Sequence, residues 1–204
     1  SGLINEAQWN PVSQTKQVVT VCHSQAGCKQ RWGRGGRVRD GQAYGLYTES
    51  QFKDLFPEFT TPQIQRSDLE PVVLAAKAAG IDDLSNFDWI QSPPLEELKR
   101  APHALQQIGA LDSEGYLTEH GLELQSFGEE PALAHLMAMS DQFSCAIEMA
   151  TFLPIMKLGG LRFILKTDRQ WDATTKRAVE RIHKAMKKGC KDDLEFCLKL
   201  YTAW

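Results

Sequence analysis

The chain has 204 residues, 42% apolar and 24% charged, with a net charge of −3. That composition belongs to a folded chain rather than a disordered one, and no apolar run approaches the ~18 residues of a membrane-spanning helix. The opening SGLINEAQWN has neither the basic nor the apolar region of a signal peptide, and without an initiator Met the chain is expected to be a piece of a longer one.

Taken in order, Glu6–Trp9 alternates, Asn10–Ser13 has turn chemistry and Lys16–Val21 is β-branched, which predicts a hairpin. Residues 25–37 begin as a helix with small residues and run into a glycine- and arginine-rich stretch. Gln42–Tyr47 alternates as a strand does. From Gln65 the period becomes helical: Leu69, Val72, Val73, Ala76 and Ala79 share a face, and Gly80 stops the helix. Residues 82–87 read as a short helix or turn. Ser92 is the expected N-cap of the next helix, with Pro93 at its first position and acids in its first turn. Leu95, Leu98, Ala101, Leu105 and Ile108 line one side of that helix, and Pro102 should kink or divide it. Ala110–Leu117 reads as a small hairpin turning at Ser113–Gly115. Three helices followed by a hairpin is the order of a winged helix. Beyond Thr118 the chain reads as helices over roughly 118–127, 131–140, 144–153, 173–188 and 192–203. The fold class expected is mixed and mainly α.

Charge is unevenly spread. Residues 1–65 carry +2, 66–156 carry −11, 157–191 carry +8 and 192–204 carry −2. The basic block contains Lys157, Arg162, Lys166, Arg169, Lys176, Arg177, Arg181, Lys184, Lys187 and Lys188. On charge alone it reads as a solvated helix face; a surface following a phosphate backbone is the alternative. Five cysteines and five histidines show no zinc-ligand spacing, so no metal site is expected and the thiols read as reduced core filler. The Pro93-Pro94 and Gly159-Gly160 pairs are the clearest internal punctuation.

The segment that carries chemistry is Gln30-Arg-Trp-Gly-Arg-Gly-Gly-Arg37. Arg31, Arg34 and Arg37 at three-residue spacing are expected on one side of a helix start, and the glycines admit close approach by a partner. Guanidinium forks match phosphate oxygens and stabilise charge in phosphoryl transfer.

This segment, followed by a strand ending in Leu46-Tyr47-Thr48, resembles motif VI of superfamily 2 helicases, and its flanks resemble the DEAH-box RNA helicases. The resemblance covers nearly the whole chain. It runs from Ser1-Gly2, matching the end of the strand after motif V, through the hairpin from Trp9-Asn10 to Val21 and the lead-in Ser24-Gln25-Ala26 and Lys29. It continues with Gln63–Arg66 and Leu69, where Gln63 replaces the family's Glu. Gly80-Ile81, Phe87, Pro93-Pro94, Leu105, Gly109–Asp112, Leu117-Thr118 and Gly121 match the winged helix. Pro131 and Leu133 match the start of the helical ratchet, and Asp193, Leu198, Tyr201 and Trp204 its end. The chain departs from the pattern at Trp32, where the family has a small residue, at Gly45, at Pro102, and at Asp192 and Leu194.

The resemblance implies three parts: 1–60, the C-terminal part of a second RecA-like domain; 61–125, a winged helix; and 126–204, a helicase-associated ratchet bundle. It implies that ATP and magnesium lie in a cleft shared with an upstream RecA-like domain. Gln30 would orient the attacking water or touch the γ-phosphate, and Arg34 and Arg37 would be arginine fingers. Arg31 is expected as readily in an internal salt bridge. Trp32 is expected to pack against a neighbouring strand. Lys16 and Thr20 on the hairpin, and Lys176, Arg177 and Arg181 in the ratchet, are candidate RNA contacts. The implied partners are RNA, with DNA not excluded, a downstream OB-fold and a G-patch type activator, in an intracellular compartment, cytoplasmic or nuclear. These 204 residues contain no P-loop, DEAH box or SAT motif, so alone they should bind no nucleotide productively and be inert as an ATPase. A docking module of an ATPase-inactive helicase-like protein, or a DNA helicase, are the alternatives.

Overall fold

A computed structural model describes residues 2–158 and 171–203. Ser1, the Gly159-Gly160 pair, Arg162, Lys166, Arg169 and Trp204, all singled out above, lie outside the described residues. The chain divides into two compact units, Ser1–Thr118 and Glu119–Trp204.

The first unit opens with the hairpin: β1 (Leu3–Asn10) pairs antiparallel with β2 (Thr15–Cys22), Asn10 opposite Thr15 and Leu3 opposite Cys22. The Asn10 side chain accepts from the amides of Val12 and Ser13, which closes the turn. Helix α1 (Gln25–Trp32) starts at Ser24, whose hydroxyl accepts from Gly27 N at 3.1 Å and also meets the Thr60 hydroxyl at 2.9 Å. A second short helix, α2 (Glu49–Asp54), is held by a reciprocal capping box between Thr48 and Gln51.

The expected strand at Gln42–Tyr47 does not form. Alternation supplies a face, but a strand also needs a partner for its amides and carbonyls. Among the described residues β1 and β2 pair only with each other.

Helix α3 (Glu70–Ala78) follows a 3-10 turn at Gln63–Gln65. It ends as the sequence predicts: Gly80 takes φ +82° and Ile81 N returns to Ala76 O at 2.9 Å. Residues 82–87 form turns, with the Asp83 carboxylate accepting from the amides of Ser85 and Asn86. Helix α4 (Leu95–Gln107) begins two residues later than expected, after Pro94, with no side-chain cap. Ser92 instead lends its carbonyl to Gln65 Nε2. Pro102 lies inside α4 without dividing it.

Leu69, Val73 and Leu74 meet Ala101 and Leu105 in the core of this unit, all at or below 1% exposed. Each such aliphatic side chain contributes about 1.5–3 kcal/mol by leaving water. Leu95, expected on the buried side, is 59% exposed, whereas Glu97 is buried. The reason is Arg100. Its guanidinium reaches Asp68 at 2.7 Å, Glu70 at 2.8 Å and Glu97 at 2.9 Å, and lies 5.2 Å from the Trp9 ring centre. A carboxylate so paired tolerates burial that an unpaired one would not. The expected hairpin at 110–117 is reduced to one bridge, Leu111 to Leu117, around an Asp112 carboxylate that accepts from the amides of Glu114 and Tyr116.

The second unit is helical. Helices α5 (Glu119–Ser126), α6 (Pro131–Gln142), α7 (Ala146–Lys157), α8 (Ala173–Lys187) and α9 (Asp193–Ala203) match the predicted spans closely. α5 packs on α6, α6 on α7, α7 on α9 and α9 on α8. Phe196, Leu124 and Ala134 are its most deeply buried side chains.

Candidate functional site

Helix α1 delivers the arginine segment. Its N-terminal end is tied down by Gln25 N to Pro57 O at 2.8 Å, Ala26 N to Glu58 O at 3.1 Å and Gln25 Nε2 to Phe56 O at 3.1 Å. Cys28 is buried, and Gln30 is exposed.

The helix stops at Trp32, so the three arginines mark a helix end rather than the helix start expected from their spacing. Arg31 is the last arginine on helical backbone; Arg34 and Arg37 lie beyond it. The chain leaves α1 through tight turns: Gly33 N to Lys29 O at 3.0 Å, Arg34 N to Arg31 O at 3.1 Å and Gly35 N to Trp32 O at 3.0 Å. Glycines at 33, 35 and 36 favour this exit, because Gly is poor in helix interiors. At Gly41 a Cβ would stand 2.2 Å from Gly35 O, so the loop closes on itself between two glycine backbones. Arg37 and Arg39 sit between these two points.

The side chains of Gln30, Arg34 and Arg37 are exposed and make no hydrogen bond or ion pair among the described residues. Arg31 forms no salt bridge among them either, contrary to one expectation. It lines a cavity of about 160 Å³ with His23, Cys28 and Tyr47. His23 is buried, its Nδ1 has no partner among the described residues, and burial, then the Arg31 charge, hold it below its usual range.

Trp32 packs on a helix, not on a strand. Its ring centre is 5.3 Å from that of Phe52 on α2, and Phe52 continues to Tyr47 at 5.9 Å and Phe56 at 5.7 Å. Sequence reading missed α2, although Thr48-x-x-Gln51 is the signal for its start.

The remaining candidates are dispersed. Lys16 and Thr20 lie exposed on β2, and the Thr20 hydroxyl donates to Asn5 Oδ1 across the hairpin at 2.9 Å. Lys176 is half-buried on α8, while Arg177 and Arg181 are exposed. Lys184 continues their line at the helical interval and Lys188 follows at the C-cap; both belong to the basic block read from the sequence. None of these four exposed cations has a side-chain partner among the described residues. They advance in steps of about 4.5–6 Å along the axis. Lys187 is spent differently, on Asp193 at 3.0 Å. Among the described residues no group of three His, Cys, Asp or Glu side chains is placed to hold a metal ion, and no helix is long and apolar enough to cross a membrane.

No family model matches the chain. It is 37% identical over 158 residues to the probable ATP-dependent RNA helicase DHX35 of Homo sapiens, and equally to that of Pongo abelii; each alignment covers 77% of this chain and 22% of the relative. The chain thus spans about a fifth of the length of the curated relatives it matches. The crystal structure of the E. coli DExH-box NTPase HrpB superposes with a TM-score of 0.68 at 24% identity, over 90% of this chain and 23% of that one, a likeness of fold.

Proposed function

Because the chain belongs to the DEAH-box RNA helicases, we propose that its residues serve an ATP-dependent RNA helicase as the arginine-bearing side of a nucleotide cleft. The observation that carries this reading is that Gln30 on the last turns of α1, and Arg34 and Arg37 on the exposed loop that follows it, have no side-chain partner among the described residues. Cations left unneutralised on an exposed loop favour a polyanion arriving from outside.

ATP with magnesium supplies the phosphoryl group when bound to an upstream RecA-like domain. This chain's own side chains then act from across the cleft. Arg34 and Arg37 neutralise charge that builds on the transferred phosphoryl oxygens, and Gln30 holds the attacking water or the γ-phosphate. The donor set fits such a group: planar forks, always charged, on a backbone that glycines keep narrow. Residues 61–125 act in this reading as a winged helix and 126–204 as a ratchet, with α5 packing on α6. RNA is contacted by the basic face of α8 and, on the other unit, by Lys16 and Thr20 of the hairpin. A downstream OB-fold and a G-patch type activator belong to the same proposal, in whichever RNA-containing compartment, nuclear or cytoplasmic, the protein works.

The test is RNA-stimulated phosphate release by the natural full-length protein. Arg34→Ala and Arg37→Ala should each lower turnover by roughly 10³–10⁵, the range for arginine fingers. Turnover within twofold of the unaltered protein would refute the assignment.

A further inference from the structure

We infer that Trp32 is a positioning residue, which anchors the arginine loop to α2 and so fixes where Arg34 starts. This rests on the reading of Arg34 and Arg37 as fingers.

The argument is geometric. Arg34 follows Trp32 by two residues, and three consecutive amides in this stretch bond back into the end of α1: Gly33 N, Arg34 N and Gly35 N. The last of these lands on the Trp32 carbonyl itself. The Trp32 backbone is therefore the root of the loop, and its ring decides how firmly the root is held. Trp32 is 38% exposed, and its ring meets Phe52 at 5.3 Å with the planes inclined by 34°. Phe52 does not move freely. It is stacked near Tyr47, tilted against Phe56, and carried on a helix whose start is locked by the capping box at Thr48. Phe56 is buried and fills the space beside Gly2, where a Cβ would come within 2.1 Å of its ring. A chain of aromatic contacts thus runs from the tethered hairpin end to the loop root.

A glycine-rich loop gains much from such an anchor. Glycines at 33, 35, 36 and 41 give it more backbone freedom than any other residue type would. Fingers must meet the transferred phosphoryl group within a fraction of an ångström, and freedom in the loop dilutes that pose. The Gly35–Gly41 approach closes the loop but does not orient it. Trp32 supplies the orientation.

Turnover and amide exchange are measured on the natural full-length protein carrying Trp32→Ala, Trp32→Phe, Phe52→Ala, or Trp32→Ala with Phe52→Ala. Aromatic pairs of this kind shift populations by a factor of about 2–12. Trp32→Ala should therefore lower kcat by about fivefold with KM for ATP within twofold, and speed exchange at Gly33, Arg34 and Gly35. Trp32→Phe, which keeps a ring on Phe52, should restore at least half of the lost rate. Phe52→Ala should match Trp32→Ala, and the double variant should add little. An unchanged kcat in Trp32→Ala, or a loss seen only in KM, overturns the inference even where Arg34→Ala abolishes turnover and the finger reading stands. Should Arg34→Ala and Arg37→Ala leave turnover intact, the finger reading falls and this role with it. Unchanged exchange at the three amides overturns the anchor by itself, whatever the rates.

Discussion

At Arg100 three carboxylates converge on one guanidinium, and the face of Trp9 lies beside it. Asp68, Glu70 and Glu97 come from the loop before α3, from α3 and from α4, so one side chain joins three stretches of chain to the hairpin. Breaking such an arrangement from the cationic side leaves the acids uncompensated. Arg100→Met should therefore destabilise the chain by about 3 kcal/mol, read as a lower urea midpoint with unchanged slope. Burial pushes the Glu70 carboxyl above its usual range, the Arg100 hydrogen bond opposing it. A raised carboxyl pKa favours folding below the ordinary value of 4.5 and loses that contribution as pH climbs through the shifted one. The histidines run the other way. His23 is lowered by burial and then by Arg31, and His135 by burial and then by His120, whose Nε2 is 3.0 Å from His135 Nδ1. Their contribution is complete above the ordinary 6.5 and is lost as pH falls through the lowered values. The melting temperature should accordingly drop between pH 7 and pH 5, and the combined variant His23→Leu, His135→Leu should show a smaller drop. An equal drop in both proteins would show that these two imidazoles do not carry it.

At the scale of the element, α8 and the arginine loop teach opposite lessons about charge. On α8, Val179, His183 and Met186 are half-buried, while Arg177, Arg181 and Lys184, with Lys188 at its C-cap, stay exposed. The amphipathic period was plain in the sequence, and it places these cations together with no help from tertiary structure. If they follow an RNA strand, replacing all four by Ala should weaken RNA binding and make the log–log salt slope shallower by about 3, from roughly 0.7 per phosphate contact on a single strand. Binding and slope both unchanged would make the face merely solvated. In the arginine loop, spacing misled. Arg31, Arg34 and Arg37 have a helical interval, yet the backbone leaves the helix after Trp32 because Gly33, Gly35 and Gly36 make its continuation unfavourable. The missing strand at Gln42–Tyr47 has a similar cause, since alternation says which face is apolar and nothing about which neighbour will pair.

Across the whole molecule, two compact units share one polypeptide without containing a P-loop or an acidic metal box in their 204 residues. Arg34 and Arg37 are exposed, and their side chains pair with nothing among the described residues. The 204-residue chain by itself should therefore release no phosphate from ATP above background, with or without RNA, as a malachite-green assay would register. Turnover by it would mean that the cleft is not shared with an upstream domain.

The sequence by itself determined the helices of the second unit, the hairpin, the glycine stop of α3, and the family. These depend on local period, on glycine at positive φ, and on motif residues whose order is their information. Tertiary structure alone decided that Glu97 is buried and Leu95 exposed, that Trp32 lies on Phe52, and that Arg31 pairs with no carboxylate among the described residues. Each of those outcomes turns on which distant side chain arrives within a few ångströms. Arg100 and Asp68 are far apart along the chain, as are Trp32 and Phe52, and only packing brings such partners together.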